Sequence, residues 1–179
     1  MTITKNHYLT VICVCYVISW LIPISPSYNN MIGYEGAEVA YNDLVRGLSY
    51  FANIISANTN ISLSGVLKNI VIIIAGLPNI LFILSAILLF LNKKFALYFA
   101  APSLLSMALW IEKDINLIGG FGLWLLTGLG LFVLAANLYK SETNVPYHRL
   151  FISGPLITSY IIVALIAINE LLYGPLIFK

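Results

Sequence analysis

Five stretches of this chain carry no formal charge, and each is long enough to cross the apolar core of a bilayer. An ionised side chain at the bilayer centre costs about 2.5–3.5 kcal/mol, so a chain with several membrane spans must keep its charges between them. The uncharged stretches are residues 6–34, 69–92, 95–111, 115–139 and 150–169. This segregation of charge predicts an all-α, polytopic transmembrane helical bundle that forms a single membrane domain.

Apolar runs within these stretches predict about five spans, with a four-span bundle as the alternative. The third span has 17 uncharged residues, or about 25 Å of helix, and we expect it to cross nearly upright. The first span resembles a signal peptide, but Pro23-Ile24-Ser25-Pro26-Ser27 offers no small-residue cleavage site, which favours a retained span. The predicted spans are residues 8–24, 66–91, 95–110, 117–139 and 150–171.

The composition supports a membrane protein and excludes several other classes. Only 9% of the residues are charged and 60% are hydrophobic, whereas soluble domains carry about 25% charged residues. The net charge is +2 and the largest basic cluster is the pair Lys93–Lys94, so no nucleic-acid partner is expected. Cys13 and Cys15 stand two apart on a helix and point in nearly opposite directions, which predicts buried thiols rather than a disulfide.

The distribution of basic residues predicts the orientation of the chain in the membrane. A cytoplasmic N-terminus places five of the nine Lys and Arg residues inside and six of the seven acids outside. The acid-free turn Asn92-Lys93-Lys94 is the best inside marker, and Trp20, Trp110 and Trp124 then lie near the outer interface. The five inside residues are Lys5, Lys93, Lys94, Lys140 and Arg149.

Residues 28–65 form the one sizeable segment outside the predicted spans. Apolar residues recur there at spacings of three and four, which predicts an amphipathic helix of about five turns. This helix has no basic face, so it matches an anionic-lipid binder poorly. A helix over the mouth of the bundle and a docking surface for a partner both remain open. The apolar positions are Ala37, Ala40, Tyr41, Leu44, Leu48, Phe51, Ala52 and Ile55.

Polar residues inside the predicted spans are the candidates for a functional site. Pro78 removes a backbone donor from the second span, and Asn79 can fill the resulting gap or reach across to another helix. Pro102, Ser103 and Ser106 mark the third span in the same way. Two interpretations follow: a kink held by an interhelical hydrogen bond, or a small polar cavity near the midplane that holds a ligand or ion.

The fourth span is rich in glycine but lacks two glycines spaced four apart, so the strict GxxxG motif is absent. Small residues still allow close approach of helices, which predicts that this span lies at the centre of the bundle. The candidate packing residues are Gly119, Gly120, Gly122, Gly128 and Gly130.

Motifs for catalysis are missing from the sequence. Glu112-Lys113-Asp114 caps the third span, but its two carboxylates diverge on a helix and its lysine neutralises them, which favours a solvated turn. Gly119-Gly120-Phe121-Gly122 lacks the Lys and Ser/Thr of a phosphate-binding loop. We therefore predict no catalytic residues, no metal ligands and no cofactor, and an enzyme is disfavoured.

Several motifs resemble those of a family of small, uncharacterised bacterial inner-membrane proteins. They are Gly33-Tyr34-Glu35-Gly36 before a span, the tight turn at Lys93–Lys94, Gly122-Leu123-Trp124-Leu125 and the closing Asn137-Leu138. The resemblance covers about residues 33–139 and implies location and architecture, since the family has no assigned activity. A fifth span departs from the four-helix form that the family usually has.

Two functional hypotheses follow. The first is a non-enzymatic integral membrane protein that binds another membrane component, in its most concrete form an immunity protein against a pore-forming bacteriocin. Its partners would be the lipid bilayer and a membrane protein or a second copy, contacted through the small-residue faces of the third and fourth spans and the amphipathic helix. The second is a subunit of a small-molecule or lipid transporter, with its site at the proline-kinked spans.

Overall fold

The computed structural model describes residues 4–22, 33–57, 62–108, 119–150 and 152–173. All regular structure within these ranges is helical, with no strand, which confirms the predicted all-α class. The helices are α1 (Lys5–Ser19), α2 (Gly33–Ala57), α3 (Leu63–Gly76), α4 (Pro78–Phe90), α5 (Ala96–Ala108), α6 (Gly120–Thr143), α7 (Tyr147–Leu150) and α8 (Gly154–Tyr173).

Helices α1, α4, α5 and α6 form a bundle in which α4 and α6 each pack against the other three helices. Helix α6 runs antiparallel to α1, because Gly130 lies against Ile12 while Gly120 lies against the backbone at Ser19 and Ile22. Helix α8 packs on α5 and α3 from outside this bundle. Large side chains that are fully buried in the core include Leu9, Phe82, Leu89, Leu97, Met107 and Leu131.

The predicted second span is two helices rather than one. Helix α3 ends at Gly76, Leu77 caps both helices, and Pro78 is the first residue of α4. The axes of the two helices differ by 47°. Proline favours the first position of a helix because its missing N–H has no intrahelical acceptor there, so the chain breaks where the sequence places Pro78.

The predicted amphipathic segment contains a 25-residue helix, α2. It packs antiparallel along α3, with Gly47 beside Ile73 and Tyr50 beside Gly65. The N-cap of α3 is Ser62, whose hydroxyl accepts a hydrogen bond from the Gly65 N–H at 3.1 Å. We call these two helices the α2–α3 hairpin.

The remaining spans differ from their predicted bounds at the ends. Helix α1 stops at Ser19, and residues 23–24 of the predicted first span lie outside the described residues, as do residues 109–110 of the third. Helix α6 starts at Gly120 and continues to Thr143, past the predicted end. The fifth stretch is interrupted near its start, where α7 ends and α8 begins only at Gly154, followed by Pro155. Proline at such a position again favours a new helix start.

One helix of the described chain, α6, is by itself long and apolar enough to cross a membrane. Helices α3 and α4 reach that length and apolar character only as a bent pair. Three shorter apolar segments lie in α2, α5 and α8, and span 10–17 residues each.

Candidate functional site

Three helices of the bundle meet at the side chain of Asn79. Its Oδ1 accepts a hydrogen bond from the Tyr16 hydroxyl of α1 at 2.6 Å and another from the Trp124 indole Nε1 of α6 at 3.2 Å. Asn79 itself is the second residue of α4, directly after the break. The polar residue predicted to fill a backbone gap or reach across thus forms an interhelical contact.

An aromatic layer surrounds this contact. The Tyr16 ring stacks on Phe82 with 3.8 Å between ring centroids and 6° between planes, and it lies 5.3 Å from Trp20. Tyr16 is only 5% exposed, so its hydroxyl must be satisfied inside the protein. We call Tyr16, Asn79, Phe82 and Trp124 the Asn79 junction.

The sequence analysis did not identify Tyr16 or Phe82 as part of this site. A tyrosine in the interior of an uncharged span is a usable signal, since a buried phenol requires a hydrogen-bond partner. The sequence offered no means of choosing Asn79 as that partner, because Tyr16 and Asn79 are 63 positions apart.

The two proline-containing spans also meet directly. The Ser103 hydroxyl of α5 donates to the Pro78 carbonyl at 3.0 Å, and the Ser106 hydroxyl donates to the Ser103 carbonyl at 3.0 Å. Both hydroxyls are buried. Pro102 stands inside α5, which continues through it to Ala108. Because Ser103 touches the Pro78 backbone, this point of contact is filled by the protein and leaves no room for a ligand between the two groups.

The Asn79 junction lies towards one end of the bundle rather than at its middle. At the other end, the Lys5 ammonium donates to the Leu89 carbonyl at 2.6 Å and to Asn92 Oδ1. Tyr16 follows Lys5 by 11 positions, which places the two contacts about 16 Å apart along α1. The expected position of this site near the midplane of the membrane stays a prediction.

The glycines of α6 lie against other helices of this same chain. Gly120 approaches the α1 backbone so closely that an added Cβ would lie 2.5 Å from the Ile22 carbonyl oxygen. Gly128 lies against Met107 of α5, and Gly130 lies against Ile12 of α1. Gly119 is the N-cap of α6 and Gly122 is buried. The structure thus brings Gly120, Gly128 and Gly130 to the internal contacts of α6 with α1 and α5.

Five basic residues gather at the end of the bundle opposite the Asn79 junction. The Lys5 contact with Asn92 brings the start of α1 to the turn that carries Lys93 and Lys94. Lys140 lies in the last turn of α6, which is antiparallel to α1. Arg149 lies in α7, between the end of α6 and the start of α8 at Gly154, which contacts Tyr98 in the first turn of α5. We call these residues the basic end.

The described residues contain no group of three or more His, Cys, Asp and Glu that could hold a metal ion. Cys13 and Cys15 are free, half-buried thiols. The turn Glu112-Lys113-Asp114 and Trp110 lie outside the described residues.

No protein-family model, curated protein or solved structure matches this chain. Its resemblance to the family of small inner-membrane proteins stays a prediction.

Proposed function

We propose that this protein is a non-enzymatic, multi-pass protein of the bacterial cytoplasmic membrane that acts by binding another membrane component. Its spans are α1, the bent pair α3 and α4, α5, α6 and α8, and its N-terminus is cytoplasmic. Support comes from the apolar outer surface and from the basic end, which gathers the five residues expected inside.

The outer faces of the helices expose apolar side chains to the surroundings. Such a surface is costly in water, and lipid is the environment in which it is stable. Exposed examples include Val11, Val14 and Val17 on α1, Ile83, Leu84 and Ile87 on α4, Leu126, Leu129 and Val133 on α6, and Ile157, Tyr160 and Ile161 on α8. We therefore assign the outer faces of these helices to the bilayer.

We assign the binding surface to α2. Some apolar residues of this helix face α3, and others face outwards. Leu44 and Gly47 are buried towards α3, whereas a second row remains exposed. This row has spacings of four, three, four and three, the pattern with which one helix packs along another. We call it the α2 stripe, and it consists of Tyr41, Val45, Leu48, Ala52 and Ile55.

The exposure of the α2 stripe is the observation that carries the proposal. Leu48 is 53% exposed and Ile55 is 84% exposed, although both lie within a helix that already packs on α3. The polar face with Asn42 and Ser49 lies on the other side of the stripe and is also exposed. An uncovered apolar row between a packed face and a polar face fits a helix of a partner protein.

An immunity-type protein against a pore-forming toxin is the most concrete form of this proposal. Helix–helix recognition needs no catalytic group. Gly120, Gly128 and Gly130 already lie against α1 and α5, so they are not available to a toxin helix. The α2 stripe takes the place of that contact.

Site-specific photocrosslinking tests the assignment in native membranes. A photoreactive amino acid at Leu48 or Ile55 should give a discrete protein adduct, and the matched position Asn42 on the polar face of the same helix should not. If the stripe positions crosslink to lipid alone, or if the stripe and Asn42 give equal amounts of protein adduct, a protein partner at α2 is excluded.

A second candidate, a transporter subunit, is favoured by one observation. The bend of 47° between α3 and α4 is the kind of broken span that often builds a substrate site. Against it, Asn79 and Ser103 already bind groups of this chain. Native mass spectrometry discriminates the two ideas: a small molecule that is lost on Asn79→Leu and retained on Asn42→Leu supports transport.

A further inference from the structure

We propose that the basic end binds the phosphate groups of anionic phospholipids. This inference rests on the membrane location proposed above, and it assigns a specific lipid chemistry to one end of the bundle. The partner is a lipid whose headgroup carries net negative charge, such as phosphatidylglycerol.

The charge of this end is the first argument. Five of the nine basic residues of the chain lie there, and Glu142 is the one acid of the described residues near them. The rest of the sequence contains four basic and six acidic residues, so the excess of positive charge comes from the residues of the basic end. A localised excess of Lys and Arg beside a bilayer is complementary to anionic headgroups.

The second argument is that tertiary contacts hold the basic residues in place. Lys5 caps the end of α4 through the Leu89 carbonyl, which fixes it beside Lys93 and Lys94. The Asn92 backbone is left-handed, with φ of 54°, which turns the chain sharply between α4 and α5. The ammonium groups of Lys5, Lys93 and Lys94, from two distant parts of the sequence, are thereby brought to the same end of the bundle.

The third argument is a concave surface beside Lys140. An open groove of about 480 Å³ follows the end of α6 and the linker to α7. Asn144 closes α6 in a left-handed conformation, and Pro146 follows it before the short helix with Arg149. The groove is lined by Asn137, Lys140, Ser141, Asn144, Val145 and Pro146.

These features fit a lipid headgroup better than a protein. The groove is lined by polar and cationic side chains together with Val145 and Pro146, so it offers polar groups to a phosphate beside an apolar surface. Each Lys or Arg close to an anionic surface contributes about a fivefold increase in affinity.

The test measures the lipids that remain bound after reconstitution. The full chain is placed in vesicles of equal parts phosphatidylcholine and phosphatidylglycerol, extracted in mild detergent, and analysed by native mass spectrometry. We expect phosphatidylglycerol to be retained in preference. The variant K93Q/K94Q and the variant K140Q/R149Q should each reduce that preference about tenfold or more.

Two controls isolate the role of the basic end. Lys68→Gln removes an exposed charge from α3, away from this end, and should leave the preference unchanged. The charge-preserving variant K93R/K94R should retain it. Equal retention of both lipids by the wild type, or an equal loss in K68Q, would overturn the proposal.

Further outcomes separate this inference from the proposed membrane location. A chain that is released from vesicles by an alkaline wash would contradict the membrane location itself. A chain that stays inserted but shows no lipid preference would contradict only the lipid site. Displacement of phosphatidylglycerol by inorganic phosphate would show a site for free phosphate and overturn the lipid assignment.

Discussion

The bundle of α1, α4, α5 and α6 and the α2–α3 hairpin contain similar residues. The two regions differ in how far these residues are covered by other helices of the chain. In the bundle, Asn79, Ser103 and the α6 glycines are engaged by other helices of the same chain. In the hairpin, α2 packs chiefly along α3 and leaves Leu48 and Ile55 uncovered. The bundle is therefore organised around its own interior, whereas the hairpin leaves an apolar surface uncovered.

Truncating one leucine in each region is the strongest test of the difference between the bundle and the hairpin. Leu89 is completely buried in the bundle, so Leu89→Ala should lower the free energy of unfolding by about 2–5 kcal/mol. Leu48→Ala on the α2 stripe should change it by less than about 0.5 kcal/mol. Denaturant unfolding in mixed micelles measures both, and similar losses would contradict the distinction between the two regions.

A smaller effect is expected from adding one methyl group to α6. In Gly120→Ala the new Cβ would meet the carbonyl oxygens of Ile22 and Ser19 at 2.5 and 2.8 Å, and backbone atoms cannot move aside easily. We expect a loss of about 1–3 kcal/mol in unfolding free energy. The matched change Gly130→Ala meets only the flexible end of Ile12 and should be nearly neutral. An unchanged unfolding free energy in Gly120→Ala would mean that α1 and α6 are packed less closely at this position than described.

The Asn79 junction supplies a third test. Asn79→Leu removes both hydrogen bonds and leaves the Tyr16 hydroxyl and the Trp124 indole without their acceptor, at a cost of about 1–2 kcal/mol. Tyr16→Phe keeps the stacked ring and should cost about half as much. Equilibrium unfolding of the two single variants and the double variant gives the coupling energy. Additive losses would show that the Tyr16–Asn79 hydrogen bond contributes nothing to stability.

The smallest expected effect concerns the contact of Lys5 with the end of α4. Lys5→Met removes the donor to the Leu89 carbonyl and should lower the unfolding free energy by about 1 kcal/mol. Lys68→Met, at an exposed position on α3, should leave it unchanged. Hydrogen exchange at the last turn of α4 should increase only in the Lys5 variant, and an unchanged rate there would show that Lys5 does not cap the helix.

Local signals in the sequence predicted the local structure well. The break between α3 and α4 falls at Pro78, the residue that the sequence marks as altering the second span, because proline acts on its own helix. The predicted amphipathic segment contains the helix Gly33–Ala57, because apolar spacings of three and four are also a local property of the sequence. The bounds of α1 were predicted less well, since hydrophobic composition continues past the point where this helix ends.

The partners of the polar residues were not predictable. Asn79 was identified as a residue that can reach another helix, but its contact with Tyr16 depends on the antiparallel alignment of α1, α4 and α6. That alignment is set by how side chains pack over the whole bundle, including the close approach at Gly120. The division of the α2 apolar face between α3 and the exposed stripe depends on packing in the same way.

The helical class of this chain, the position of its main break and the location of its charges between apolar stretches can all be read from the order of its residues. These properties follow from single residues and their near neighbours, because backbone preference and the cost of burying charge are local. Packing establishes which helices meet at Asn79, that Gly120, Gly128 and Gly130 lie against other helices of the chain, and that the α2 stripe is uncovered. Those properties depend on the register between distant helices, and register is a result of packing the whole chain at once.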